Sequence, residues 1–169
     1  RHKPIIGALN GPVVGQGFIF ATNMMDLRIG TPNAFLSIPE IAYGMGGAGA
    51  STQLWRHFPP AIAMRMILMG DRLSADEALK YGYYNEVVEQ DQLMETAMKY
   101  AETIANHPEV AVTVEMEGFY RSMDMSREDT RAFMLHLYQL QRAAYMSGGD
   151  ASENPLHQDS PESKKRATN

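Results

Sequence analysis

The sequence predicts an α/β fold that is followed by a helical region. In the first half of the 169-residue chain, short apolar segments that end in Asn-Gly or Thr-Pro-Asn alternate with segments of helical character. The second half shows helical periodicity instead. Alternating strands and helices of this kind typically build an α/β layer. The 44% of hydrophobic residues suffices for a sizeable core.

A glycine-rich turn organises the start of the chain. Residues 4–9 form an apolar run that Asn10-Gly11 closes, which predicts a strand. Residues 10–17 predict a tight turn, and the apolar residues 18–25 predict a buried helix. A strand, a turn and a helix N-terminus in this order present backbone N–H groups that can hold negative charge.

A lone carboxylate follows two further extended segments, residues 26–29 and 34–38. Glu40 stands after Pro39 in an apolar stretch and before a glycine-rich loop at residues 43–50. We therefore take Glu40 as the candidate acid/base and expect it to face backbone donors around Gln16. The alternative is that Glu40 is a surface glutamate in a turn.

The remaining elements are mainly helices. We expect a short helix at residues 51–57 and a second at 61–69, separated by Pro59-Pro60. Ser74 and Glu77 form a capping box that opens a third helix, and Gly82 suits its C-terminus. A short strand at 85–88 precedes helices at 92–106, after Pro108 and after Ser126. The composition of residues 147–169 predicts a disordered tail.

Composition and charge exclude several classes of protein. The net charge of −5 argues against a general nucleic-acid binder. The absence of cysteine excludes disulfides, thiolate zinc sites and a cysteine nucleophile, and the histidines lack metal-ligand spacing. No apolar run approaches the roughly 20 residues of a membrane span. We expect no metal and no membrane partner, a cytoplasmic location, and an N-terminal portion that precedes this chain.

Ordered motifs along residues 3–145 resemble the crotonase (enoyl-CoA hydratase/isomerase) superfamily. The matching segments are Lys3 to Gly11, Gly15-Gln16-Gly17, Asp26, Ala34-Phe35, Pro39-Glu40, Gly44 and the loop to Thr52-Gln53, Gly70 to Ala78, and Gly82 to Val88. The resemblance implies a crotonase-like (ClpP/crotonase) spiral core with a C-terminal helical region that forms oligomers. Residues 1–90 would be the C-terminal part of the core, 91–146 the helical region and 147–169 the tail.

The resemblance also implies an acyl-CoA thioester substrate and an oxyanion hole. Family members hold the thioester carbonyl with two backbone N–H groups, which stabilise an enolate-like anion. One donor would be Gln16, with Gly15 and Gly17 allowing close approach of the ligand. The other would come from a loop upstream of residue 1. No cofactor is implied beyond the coenzyme A of the substrate, and the expected assembly is a homotrimer or hexamer.

One departure from the family pattern decides the predicted chemistry. Family hydratases carry a glutamate two residues after the glycine triplet, and this chain has Ile19 there. Hydration uses two carboxylates around a water, whereas a single glutamate can move a proton between two carbons. We therefore predict a one-base enoyl-CoA isomerase, with Glu40 as base and Ile19 as a pocket wall or core residue.

Two alternatives stay open. A hydratase or hydrolase would take its second acid from the segment upstream of residue 1. A catalytically silent family member would serve as a CoA-binding or assembly subunit. His57 is a weaker candidate for a second acid/base, and a structural salt bridge is the favoured role of Arg65.

Overall fold

The computed structural model describes residues 3–47 and 53–147, which form two compact units, residues 3–106 and residues 107–147. The strands of the first unit are β1 (Ile6–Leu9), β2 (Pro12–Val14), β3 (Leu27–Gly30), β4 (Phe35–Ser37), β5 (Leu73–Ser74) and β6 (Glu86–Val87). Its α-helices are α1 (Gln16–Met24), α2 (Pro60–Met69), α3 (Ala75–Lys80) and α4 (Leu93–Ala105). The second unit contains α5 (Glu109–Ser122) and α6 (Arg127–Ser147).

The described strands form two three-stranded sheets. In the first sheet, β1, β3 and β6 run parallel in that order, with Ile6 opposite Leu27. In the second, β2 pairs in parallel with β4, and β5 adds an antiparallel edge with Leu73 opposite Leu36. Successive strands β1 to β4 therefore alternate between the two sheets, as successive turns of a spiral do. This arrangement confirms the α/β prediction.

The main core of the first unit lies among α1, α2, α3 and the second sheet. Phe18, Leu36, Met66 and Leu73 are fully buried there, and the Tyr83 side chain is 1% exposed. The Phe18 and Tyr83 rings meet edge to face at 5.5 Å. Each such side chain contributes roughly 1.5–3 kcal/mol through its removal from water. This core holds α1, and hence the glycine turn that precedes it, against β4.

A smaller core attaches α4 to the first sheet. Leu93 and Ala97 on α4 are buried against Ile29 of β3, with Tyr100 packed at the margin. This face matches the predicted apolar stripe of the helix at residues 92–106. By its contacts α4 belongs to the first compact unit.

Several local sequence signals act as expected. The Ser74 hydroxyl accepts a hydrogen bond from the Glu77 N–H at 3.2 Å, and the Glu77 carboxylate accepts one from the Ser74 N–H at 3.1 Å. The predicted capping box of α3 is therefore confirmed. Helix α2 ends at Met69, and Gly70 caps it in the left-handed conformation with φ 62°.

Other local predictions were wrong. The stretch predicted as one turn at residues 10–17 contains β2, because pairing with β4 supplies hydrogen bonds that the sequence alone does not reveal. Pro39–Tyr43 forms a 3-10 helix that the sequence reading missed. Within the short helix predicted at 51–57, residues 53–56 form a 3-10 helix, and residues 51 and 52 lie outside the described residues.

The second unit is a pair of packed helices. Gly118 of α5 is buried beneath the Met134 side chain of α6, where a Cβ would clash. The Ser126 hydroxyl accepts a hydrogen bond from the Asp129 N–H at 3.1 Å and caps the start of α6, as predicted. The predicted disordered tail lies, from residue 148 onward, outside the described residues.

Candidate active site

Gly15 forms the sharp turn between β2 and α1. Its φ of 57° lies in the left-handed region, which a glycine adopts without the steric cost of a Cβ. The Gly15 N–H donates to the Ser37 carbonyl at 2.9 Å, which ties the turn to the end of β4. Gly15 itself is buried, while Gln16 and Gly17 are exposed.

The Gln16 N–H stands at the start of a helix and has no acceptor among the described residues. Helix α1 begins at Gln16, and its first backbone bond runs from the Ile19 N–H to the Gly15 carbonyl at 3.1 Å. The first N–H groups of a helix have no partner within it, and the described residues supply none to Gln16. An exposed N–H at the positive end of the helix dipole suits an anionic oxygen.

Glu40 lies against this turn. It is the second residue of the 3-10 helix, and its carbonyl accepts from the Met45 N–H at 3.1 Å. One carboxylate oxygen, Oε1, stands 2.5 Å from the point where a Cβ on Gly15 would be. The other, Oε2, is buried and has no hydrogen-bond partner among the described residues. The structure thus brings Glu40 and the Gly15–Gly17 turn together, with an acceptor left unsatisfied.

Glu40 lines a small pocket. Its cavity volume is about 20 Å³, and it is partly open to solvent. Beside Glu40, its lining includes the apolar side chains of Ile38, Ile41, Met45 and Ile67. A carboxylate in a largely apolar setting can act as a base toward a carbon acid.

Ile19 is a core residue and does not line this pocket. Its side chain is 3% exposed and belongs to the main core, packed with residues of α1 and β4. The position where family hydratases carry a second glutamate is therefore filled by a buried aliphatic group. Of the two readings of Ile19, the geometry favours the core residue.

His57 lies away from the lining of the pocket that contains Glu40. Its ring meets the Tyr83 ring edge to face at 6.4 Å. Burial, followed by the charges of Arg28 and Arg56, lowers the pKa of His57 to about 4. The imidazole is accordingly neutral at pH 7. Arg65 forms a salt bridge with Asp71 at 2.9 Å and contacts Glu77 at 3.6 Å, as predicted.

Arg28 is an important residue that the sequence reading missed. Its guanidinium is buried and donates to the carbonyls of Ala21, Thr22 and Met25 at 2.8–3.1 Å. It also stacks 4.5 Å above the centre of the Tyr83 ring. Arg28 thereby caps the C-terminus of α1, whose N-terminus carries the Gln16 donor. The available signal was an arginine inside the otherwise apolar run of β3.

The described residues lack a metal-binding cluster and a membrane-spanning helix. No cluster of three or more His, Asp or Glu side chains there is arranged to hold a metal ion. None of the helices in those ranges is long and apolar enough to cross a membrane.

Comparison with known proteins identifies the family. The family model described as enoyl-CoA hydratase/isomerase matches residues 1–147. The chain belongs to the enoyl-CoA hydratase/isomerase family. The resemblance to the crotonase superfamily is therefore confirmed.

Curated relatives of this family are named as hydratases and dehydratases. An (E)-benzylidenesuccinyl-CoA hydratase from Thauera aromatica is 39% identical over 127 residues, which are 75% of this chain and 49% of that protein. A carnitinyl-CoA dehydratase from Proteus mirabilis is 34% identical over 156 residues, or 92% of this chain and 59% of that protein. The chain thus spans about half to three fifths of their length.

Solved structures of the enoyl-CoA hydratase/isomerase family share the fold. One from Mycobacterium paratuberculosis superimposes with a TM-score of 0.80 at 26% identity, covering 92% of this chain and 57% of that one. An enoyl-CoA hydratase from Bacillus anthracis gives a TM-score of 0.77 at 29% identity, covering 82% and 54%. The predicted crotonase-like fold is confirmed.

Proposed function

We propose that the protein acts on an acyl-CoA thioester as a one-base enoyl-CoA isomerase, with Glu40 as the base. The observation that carries this proposal is the Glu40 carboxylate, which lies against the Gly15 turn and has one buried oxygen without a partner among the described residues. Glu40 also lines a small pocket with apolar neighbours. Family membership supplies the class of substrate.

The proposed reaction is a proton shift. Glu40 removes a proton from C2 of a 3-enoyl-CoA, and the negative charge spreads onto the thioester oxygen. The Gln16 N–H stabilises that oxygen as one donor of the oxyanion hole, while Gly15 and Gly17 leave room for the thioester. Glu40 then returns the proton to C4, which gives the 2-enoyl-CoA. Because proton loss and gain balance, the stoichiometry requires no redox cofactor, and coenzyme A enters only as part of the substrate.

Hydration or dehydration of a thioester is the second candidate. The named relatives, a hydratase and a dehydratase, favour it. Water addition would still use Glu40 to move a proton, but it would need a second group to hold the water. The buried Ile19 provides no such group, which is why the isomerase is placed first.

Glu40→Gln in the full-length protein tests the proposal. With 3-enoyl-CoA as substrate, loss of the base should lower kcat by at least about 100-fold. Glu102→Gln, which removes an exposed carboxylate from α4, is the matched control and should keep full activity. Rapid hydration of a 2-enoyl-CoA would favour the second candidate. Unchanged turnover in Glu40→Gln, or no turnover of any thioester, would favour a CoA-binding or assembly subunit.

We further infer that the protein is a homo-oligomer, a trimer or hexamer as the resemblance implies. Leu135, Tyr138 and Leu140 on α6 are each more than half exposed, which is unusual for large apolar side chains on one helix. Analytical ultracentrifugation of the full-length protein tests this inference. A monomer at micromolar concentration would contradict it.

A further inference from the structure

Ser37 connects two glycine turns that flank the Glu40 segment. It is the last residue of β4, it is 4% exposed, and it stands three residues before Glu40. Its carbonyl accepts from the Gly15 N–H at 2.9 Å, and its hydroxyl donates to the Gly70 carbonyl at 3.1 Å. Through its backbone carbonyl and its hydroxyl, Ser37 therefore links the turn before α1 to the turn after α2.

The Gly70 turn packs directly on the backbone that leads into Glu40. Gly70 has φ 62°, and a Cβ built there would lie 3.3 Å from the Pro39 Cα and 3.4 Å from the Ile38 carbonyl oxygen. The Gly70 turn therefore lies close to this backbone, and an added Cβ would be crowded there. The next residue, Asp71, is held by the Arg65 guanidinium at 2.9 Å, so the turn is also fixed from the α2 side.

The Gly15 turn limits the Glu40 side chain from another direction. The carboxylate oxygen Oε1 occupies the space that a Cβ on Gly15 would need. The backbone before Glu40 is thus backed by one glycine turn, and its carboxylate lies against the other. Movement of either turn relative to Ser37 would move the carboxylate relative to the Gln16 N–H.

We propose that Ser37 is a positioning residue, whose hydroxyl bond to the Gly70 carbonyl sets the place of the Glu40 carboxylate in the site. This inference rests on the proposed role of Glu40 as base. Ser37 touches no substrate in this account. It acts through the two turns, and a reacting group displaced by about 1 Å loses on the order of 100-fold in rate.

Ser37→Ala and Ser37→Thr in the full-length protein test the proposal. Assayed with 3-enoyl-CoA, Ser37→Ala should lower kcat about tenfold with KM changed less than twofold, because the base moves while substrate binding is kept. Ser37→Thr retains the hydroxyl and should recover most of the rate. Ser122→Ala removes a similar hydroxyl-to-carbonyl bond from α5 and should change neither parameter.

A double-mutant cycle separates positioning from a general loss of structure. If Ser37 acts through Glu40, Ser37→Ala should leave the residual rate of Glu40→Gln unchanged. An equal loss in both backgrounds would overturn the proposal, as would a Ser37→Ala enzyme within twofold of wild-type kcat. If Ser37→Ala does not fold, Gly70→Ala, which presses on Pro39, should show the same kcat loss and the same non-additivity. Full activity in Glu40→Gln would overturn the role of Glu40 itself.

Discussion

Replacing Gly15 with alanine should displace the Glu40 carboxylate. The new Cβ would stand 2.5 Å from Glu40 Oε1, whereas ordinary van der Waals contacts begin at 3.4 Å. The carboxylate must therefore retreat by about 0.9 Å, the difference between these two distances. The backbone of Gly15 would resist moving instead, because its N–H is bonded to the Ser37 carbonyl.

Two separate penalties follow from this change. The backbone of Gly15, with φ 57° and ψ −127°, lies outside the left-handed helical conformation, and an alanine there costs about 1–3 kcal/mol of stability. The displaced carboxylate lowers the catalytic rate on the order of 100-fold, as expected for a misplacement near 1 Å. The first penalty affects folding, and the second affects kcat.

Gly82→Ala is the matched control. Gly82 also has a positive φ, 77°, but a Cβ there would meet nothing within 4 Å. Both variants should lose stability in urea unfolding, because both positions have a positive φ. In steady-state assays with 3-enoyl-CoA, Gly15→Ala alone should lose activity. If Gly15→Ala keeps kcat within threefold of Gly82→Ala, the close approach of Glu40 to this turn has no catalytic importance and the account of the site is refuted.

The remaining predictions concern stability. Arg28→Met should lower the free energy of unfolding by about 3 kcal/mol, because the last carbonyls of α1 lose their hydrogen-bond donors. The control, Arg121→Met at an exposed salt bridge, should change it by less than about 0.5 kcal/mol. Equal losses in the two variants would contradict this prediction. His57 has a folded pKa of about 4 against 6.5 unfolded, so its contribution is complete above pH 6.5 and is lost as pH falls toward 4. The melting temperature of His57→Gln should therefore fall less between pH 7 and pH 5 than that of the wild type. The same fall in both proteins would refute this prediction. Ser74→Ala should cost about 1 kcal/mol by urea unfolding, since it removes the capping box of α3; no change would contradict this.

Local signals in the sequence predicted the elements whose stability is local. The Ser74 cap depends on neighbouring residues and was read correctly, whereas α2 begins at Pro60, one residue before the predicted start. Strand β2 was missed because three residues carry too little periodicity, and its hydrogen bonds come from β4, more than twenty residues further along. Pairing across such a distance is a property of the fold.

The candidate site was predicted only in part for the same reason. Glu40 and Gln16 were singled out from a lone carboxylate and a glycine turn, and the structure places Glu40 beside Gly15. The support from Ser37 and Gly70 was not foreseen, because a serine and a glycine separated by 33 residues give no pattern. Arg28 was also missed, although a charged residue in a buried strand needs partners and points to a structural role.

Mass spectrometry of the product formed from 3-enoyl-CoA in D₂O tests the one-base site most directly. If Glu40 carries the same proton from C2 to C4, the product is a 2-enoyl-CoA that contains less than one deuterium per turnover, because part of the transferred hydrogen never exchanges with solvent. The Glu40→Gln variant should form this product at least about 100-fold more slowly. A product heavier by one water, formed as fast as any isomer, would contradict the account.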